Sequence, residues 1–264
     1  MTAETAPDTE YFQQLANQAQ EYANQLTLIH EFSDQLADFL AKGWWLHIVQ
    51  LIDERSSQLP DLPFMHVDLD RISAISQYAR EETRREQRRF PKLFEEACQE
   101  ANIPLDASPH PRYTTDNHFI KVIIDDSKKT ARIENYISEL VTIPMDVNAV
   151  VYELVQARNR LFGREFDASD FIERLFQDYK ALRKTEKVKD GEAIGIRSIT
   201  RKRRNSSKGF RVDEFSVDLS RLLEDGTTTT KDGYRLRLEQ TKNTSQGIML
   251  PGGQGYIGFI RFEK

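Results

Sequence analysis

The sequence predicts an α+β protein, with an N-terminal helical region (a helical hairpin arm plus further helices) followed by a mixed α+β domain. Three observations carry this expectation. Positions three and four residues apart form one series from Phe12 to Leu40: Phe12, Leu15, Ala19, Tyr22, Leu26, Ile29, Ser33, Leu36 and Leu40, with Ser33 its one polar member. Such spacing averages about 3.5 residues and keeps a seam facing a partner helix. Beyond Pro104 the apolar period turns extended, in HFIKVIID and again near the C-terminus. Between those extended stretches lie two helical patterns, each opened by an aspartate, Asp146 and Asp167.

Residues 1–9 read as a disordered lead-in, 10–104 as the helical association region, 105–112 as a linker and 113–264 as the α+β domain. Gly43 is placed to stop the first helix, as glycine does at the residue after a C-cap. A second helix, Trp44 to Arg55, turns Trp45, Ile48, Leu51 and Ile52 to one face. So short a turn between the two predicts an antiparallel pair or a bent rod. Pro60 and Pro63 punctuate a loop before a third helix that starts near Asp68 with the stripe Leu69, Ile72, Ile75 and Ala79. Its continuation AREETRREQRRF is polar all round and predicts a solvated helix laced with pairs such as Glu81–Arg85. Pro91 either kinks this helix or begins the next, whose buried face is Leu93, Phe94, Ala97 and Cys98.

In the second domain, His118 to Asp125 and Thr130 to Thr142 bracket the turn DDSKK and predict a hairpin. Asp146 is read as the cap of a helix that buries Val147, Val150, Val151, Leu154 and Leu161 and stops at Gly163. Asp167 caps the next helix, with Asp170 as a short capping-box partner and Phe171, Leu175, Tyr179 and Leu182 inside. A short strand (Ala193 to Ile199), a basic loop, a helix near Phe215 to Leu223 and strands near Tyr234 to Glu239, Gly247 to Leu250 and Tyr256 to Phe262 complete the chain.

Charge is unevenly spread. The net charge of −5 contains a segment, Arg197 to Arg211, with seven basic residues and no acidic one. Within it, Arg201, Lys202, Arg203, Arg204, Lys208 and Arg211 are the candidate nucleic-acid contacts, since such cations bind phosphates by releasing counterions. A solvated loop or a surface for an acidic partner is the alternative. No apolar run approaches the roughly 20 residues of a membrane span. The acidic start MTAETAPDTE is unlike a secretion signal. Cys98 is the single cysteine, so intrachain disulfides and cysteine cages are excluded and a cytoplasmic location is expected.

Catalytic patterns fare poorly. Gly253, Gly255 and Gly258 match GxGxxG, but a dinucleotide site needs a helix after them and FIRF is extended. A glycine-bearing turn between terminal strands is the expectation. His30, His47, His66, His110 and His118 form no tight ligand pair. Asp125, Asp126, Glu134 and Glu139 flank extended segments, as carboxylates of a metal-dependent nuclease would, but the lysine two residues beyond such a carboxylate is missing. Cys98, beside Phe94 and Ala97, reads as a small hydrophobe.

The order of elements in the last third is similar to that of a winged-helix module with its strands displaced. In such a module the helix after the basic segment would meet DNA, yet VDEFSVDLSRLLED holds five acidic residues against Arg221. The expected function is therefore a non-enzymatic accessory subunit of a nucleic-acid-associated, multi-protein assembly. The seam residues Phe12, Leu15, Tyr22, Leu26, Ile29 and Leu36 would face other protein subunits or a second copy. No catalytic residue, cofactor, metal or membrane partner is expected. A stand-alone nucleic-acid-binding regulator and a metal-dependent nuclease are the alternatives.

Overall fold

A computed structural model describes residues 9–106, 109–251 and 255–264. The chain is mixed α+β, a helical region first and antiparallel sheets after it. It divides into two compact units, one formed by the residues up to Phe94 with Asp146–Ala149, the other by Glu95–Met145 with Val150–Lys264.

The first unit is built on α1 (Thr9–Lys42), α2 (Trp45–Arg55) and α3 (Leu69–Glu100), which contributes its residues up to Phe94. Gly43 takes φ +65°, Gly43 N–H donates to Leu40 O and Trp44 N–H to Phe39 O. This is a Schellman stop, and it needs a left-handed residue where glycine is the least strained. The core joins Phe32, Leu36, Ile48, Val49, Leu51, Ile52, Ile72 and Ala79. The seam therefore departs from strict 3–4 spacing. After Ile29 the buried face follows Phe32 and Leu36, with Phe39 packed against it, while Ser33 and Leu40 stay exposed. An untwisted helix with about 3.6 residues per turn drifts off a heptad, and Phe32 fills the position that Ser33 could not.

Helix α3 runs through Pro91 without ending there. Its polar stretch is not wholly solvated, for Thr83 is buried and Glu86 and Gln87 are half-buried. Arg85 pairs with Glu82 rather than Glu81, at 2.6 Å.

The second unit carries two sheets. Strands β1 (Arg112–Thr115), β2 (Ile120–Asp125), β3 (Thr130–Asn135) and β4 (Glu139–Pro144) form an antiparallel meander in chain order. The predicted hairpin is its centre, and the expected strand from Thr130 to Thr142 is split in two. The Asn135 side chain accepts from the N–H groups of Ile137 and Ser138, which turns the chain between β3 and β4. The predicted linker ends inside β1. Helix α4 (Val147–Phe162) follows, and its Phe162 ring meets Phe119 edge-on.

Helices α5 (Ala168–Glu186), α6 (Ile196–Ser206) and α7 (Val212–Asp225) pack with a second sheet of β5 (Ile194–Gly195), β6 (Arg235–Gln240), β7 (Ile248–Met249) and β8 (Tyr256–Glu263). Its order is β5-β8-β6, with β7 also on β8. Phe171, Leu175, Tyr179, Ile199, Phe215, Leu219, Ile260 and Phe262 share its core. Asp167 caps α5 as expected, accepting from Asp170 N–H at 2.9 Å. Gly258 lies within β8, where an added Cβ would come 2.7 Å from the Thr241 side chain. Gly253 falls outside the described residues.

Candidate functional site

The basic segment, expected as a loop, is helical up to Ser206 in α6, and only Ser207 to Arg211 lie outside a helix. Ile196, Ile199 and Thr200 bury one side of α6, and Arg203 completes that face. Its guanidinium lies 5.5 Å from the Phe171 ring centre and 5.1 Å from that of Phe215. Positions 196, 199 and 203 follow helical spacing, with an arginine stem standing where an apolar residue is usual. Hydrophobicity alone hides that pattern.

The six candidate cations separate into three groups. Lys202 and Arg203 both bind the Asp178 carboxylate of α5, at 2.6 and 2.5 Å. Arg211 sits 3.6 Å from Asp213 and 3.8 Å from Glu214. Arg201, Arg204 and Lys208 are exposed, and none has an ion-pair partner among the described residues. Half of the expected phosphate-binding set is thus committed within the fold or close to acidic neighbours, and half is presented outward.

The acidic helix α7 explains its own charge. Arg160 of α4 donates to Asp213 at 2.8 Å and to Glu214 at 3.0 Å. Arg164 donates to Asp218 at 2.7 Å and to Glu214 O at 3.1 Å. Asn135 Nδ2 adds a bond to Asp213 at 3.1 Å, and Arg221 donates to the carbonyls of Phe162 and Arg164. Burial pushes the Asp213 carboxyl up, but the bond and charge of Arg160, with Arg211 and the Glu214 N–H, outweigh it and hold it below its ordinary range. Three acids of α7, Asp213, Glu214 and Asp218, and one backbone carbonyl are therefore bound by Arg160 and Arg164. Sequence reasoning had the charges of α7 but not their arginine partners, which lie about 50 residues upstream.

In the helical unit the seam residues divide along α1. Ile29 and Leu36 are buried and Tyr22 and Leu26 half-buried, whereas Phe12 is 65% and Leu15 47% exposed. Tyr22 meets Phe64 edge-on at 5.5 Å, and Phe64 and Met65 are themselves exposed.

A second cluster in this unit was misread from sequence. Asp146 does not turn its carboxylate to α4. It accepts from Leu46 N–H at 2.6 Å and His47 N–H at 3.0 Å, capping α2 from 100 residues away, and also contacts His47 Nδ1. Val147 N–H, at the start of α4, donates instead to Glu86 at a long 3.5 Å. Burial, then the charge of Asp146, push the Glu86 carboxyl up to about 7.

The candidate nuclease carboxylates serve local structure. Asp125 accepts from Ser127 and Lys128 in the hairpin turn, Asp126 meets His110 at 2.9 Å, Glu134 pairs with Arg132 at 3.2 Å and Glu139 accepts from Thr142. Among the described residues no group of three or more His, Cys, Asp or Glu side chains could hold a metal ion. Cys98 is fully buried, and burial pushes its thiol up to about 12, away from the reactive thiolate. No described helix is long and apolar enough to cross a membrane. Comparison with family models, with curated proteins and with solved structures finds no match for the chain.

Proposed function

We propose that this chain is a non-enzymatic accessory subunit that docks onto another protein through the first half of α1. The exposure of Phe12 and Leu15, in register with the buried Ile29 and Leu36 of the same helix, carries this reading. Single exposed apolar residues are common on any surface, but a repeated row that leaves the core midway along one helix presents a ready half-seam. Phe12→Glu with Leu15→Glu is expected to abolish partner capture or self-association, read by sedimentation and co-purification, while leaving the melting temperature unchanged. Association that survives both charges refutes the arm.

The last third supports a winged-helix-like reading by its order, α5-β5-α6-α7-β6-β7-β8, and by the central place of β8 in the sheet. In that reading α7 would be the recognition helix, yet Asp213 and Asp218 are bound by Arg160 and Arg164. Contact with a phosphate backbone or an acidic partner then falls to Arg201, Arg204 and Lys208 of the α6 region. Nucleic-acid affinity through these three cations should fall with salt, with a slope near −0.9 per neutralised phosphate. Replacing all three by alanine should flatten that slope by about 2 to 3, and an unchanged slope removes nucleic acid from the assembly. A cytoplasmic location fits a single, buried cysteine.

A further inference from the structure

We infer that the outward face of the first sheet is a binding site for a small phosphomonoester with an apolar or planar body. The site is independent of the docking arm and of α6. It is a cavity of about 650 Å³, within the roughly 300–1,000 Å³ of small-molecule sites.

Its construction follows from strand alternation. Burial alternates along β2 and β3, so Val122, Ile124, Ala131 and Ile133 point to the core and Lys121, Ile123, Arg132 and Glu134 to the cavity. Register places Ile123 opposite Arg112 on one side and opposite Arg132 on the other. Two guanidinium side chains therefore flank one isoleucine, each a single strand spacing of about 4.8 Å from it. Lys121 lies in the next row, opposite Thr114 and Glu134, with its ammonium 4.3 Å from the Tyr136 ring centre.

Like charges gathered on neighbouring strands destabilise a sheet unless something compensates them. Here three cations line the cavity against one carboxylate, Glu134, which sits 3.2 Å from Arg132 Nε. The excess of two positive charges matches the charge of about −1.5 to −2 on a phosphomonoester at neutral pH. Two arginine forks can each bind phosphate oxygens bidentately. Ile123 and the prolines Pro109 and Pro111 offer the apolar surface for the remainder of the ligand. His110 between those prolines is held by the Tyr113 hydroxyl at 3.2 Å and by Asp126 at 2.9 Å, which gives the wall a fixed edge. A wall on one side of the cationic row favours a compact ligand over a continuous polyanionic strand.

The test is titration of the full chain with AMP, followed at the Ile123 δ1 methyl by nuclear magnetic resonance and by calorimetry. The expected result is a saturable shift of that methyl and binding at least ten-fold tighter than adenosine's. Arg112→Gln combined with Arg132→Gln should weaken AMP at least ten-fold. Both side chains are exposed, so the double variant should keep the parent melting temperature. Equal binding of AMP and adenosine, an undiminished affinity in the double variant, or no shift at Ile123 overturns the proposal. So does a shift produced by a ten-residue oligothymidylate but not by AMP, which would make the face a strand-binding surface.

Discussion

Two junctions in this protein bury carboxylates, and they handle the charge in opposite ways. In the sheet-bearing unit Asp213 is 3% exposed and meets Arg160, Asn135 and the Glu214 N–H. In the helical unit Glu86 lies near a second carboxylate, Asp146, which is fully buried and bound to the start of α2. The first carboxyl is held below its ordinary range and the second is pushed up to about 7. Burial acts in the same direction on both. The neighbour decides the outcome, because a guanidinium favours the charged form and a second carboxylate disfavours it.

Removing the arginine should erase the difference most forcefully. Arg160→Ala leaves Asp213 buried beside Glu214 without its main cation, and a stability loss of about 3 kcal/mol is expected in urea denaturation at neutral pH. A loss under about 1 kcal/mol would mean that Asn135 and Arg211 suffice. The second effect concerns Glu86. Its folded pKa lies above the ordinary 4.5, so the native state binds the proton more tightly than the unfolded chain. Stability from this group is fully present below about 4.5 and is lost as pH rises through about 7. Glu86→Gln should keep that stability at pH 8, a gain of at most about 3 kcal/mol before solvent screening reduces it. The two proteins should converge near pH 4.5, and parallel pH profiles would remove the assignment.

Asp213 sharpens the contrast from the other side. Its folded pKa is depressed, so its contribution is present above the ordinary carboxylate pKa and is lost as pH falls through the folded value. In Arg160→Ala that loss should begin at higher pH in an acid-unfolding curve. The smallest change is expected outside both junctions. Replacing Arg201, Arg204 and Lys208 together by alanine should move stability by no more than about 0.5 kcal/mol per site, since these cations are exposed and hold no ion pair among the described residues. A larger loss would show that α6 uses them for folding.

Much of the fold was legible because it rests on local spacing. The stop at Gly43, the cap of α5 by Asp167, the central hairpin and the terminal strands all depend on residues a few positions apart. The misreadings share one cause. Asn135 divides a strand through its side chain, Ser33 yields its place to Phe32, and Arg203 takes a core position that a hydrophobicity pattern leaves blank. Each turns on what a side chain touches, which its residue type alone does not specify. Of the six cations proposed for phosphate, spacing identified the cluster, while the Asp178 carboxylate on α5 determined that Lys202 and Arg203 are taken.

By itself the sequence determined the α+β class, an amphipathic first helix, a concentration of positive charge before an acidic helix, and a solitary cysteine on an apolar face. Tertiary structure alone decided the partners. It brought Asp146 to α2 rather than α4, set Arg160 and Arg164 against the acids of α7, and left Phe12 and Leu15 outside the core that takes Ile29 and Leu36. The physical reason is reach. Helix and strand periods are written in bonds between near neighbours, whereas the fate of a buried charge depends on groups that only folding brings within hydrogen-bond distance.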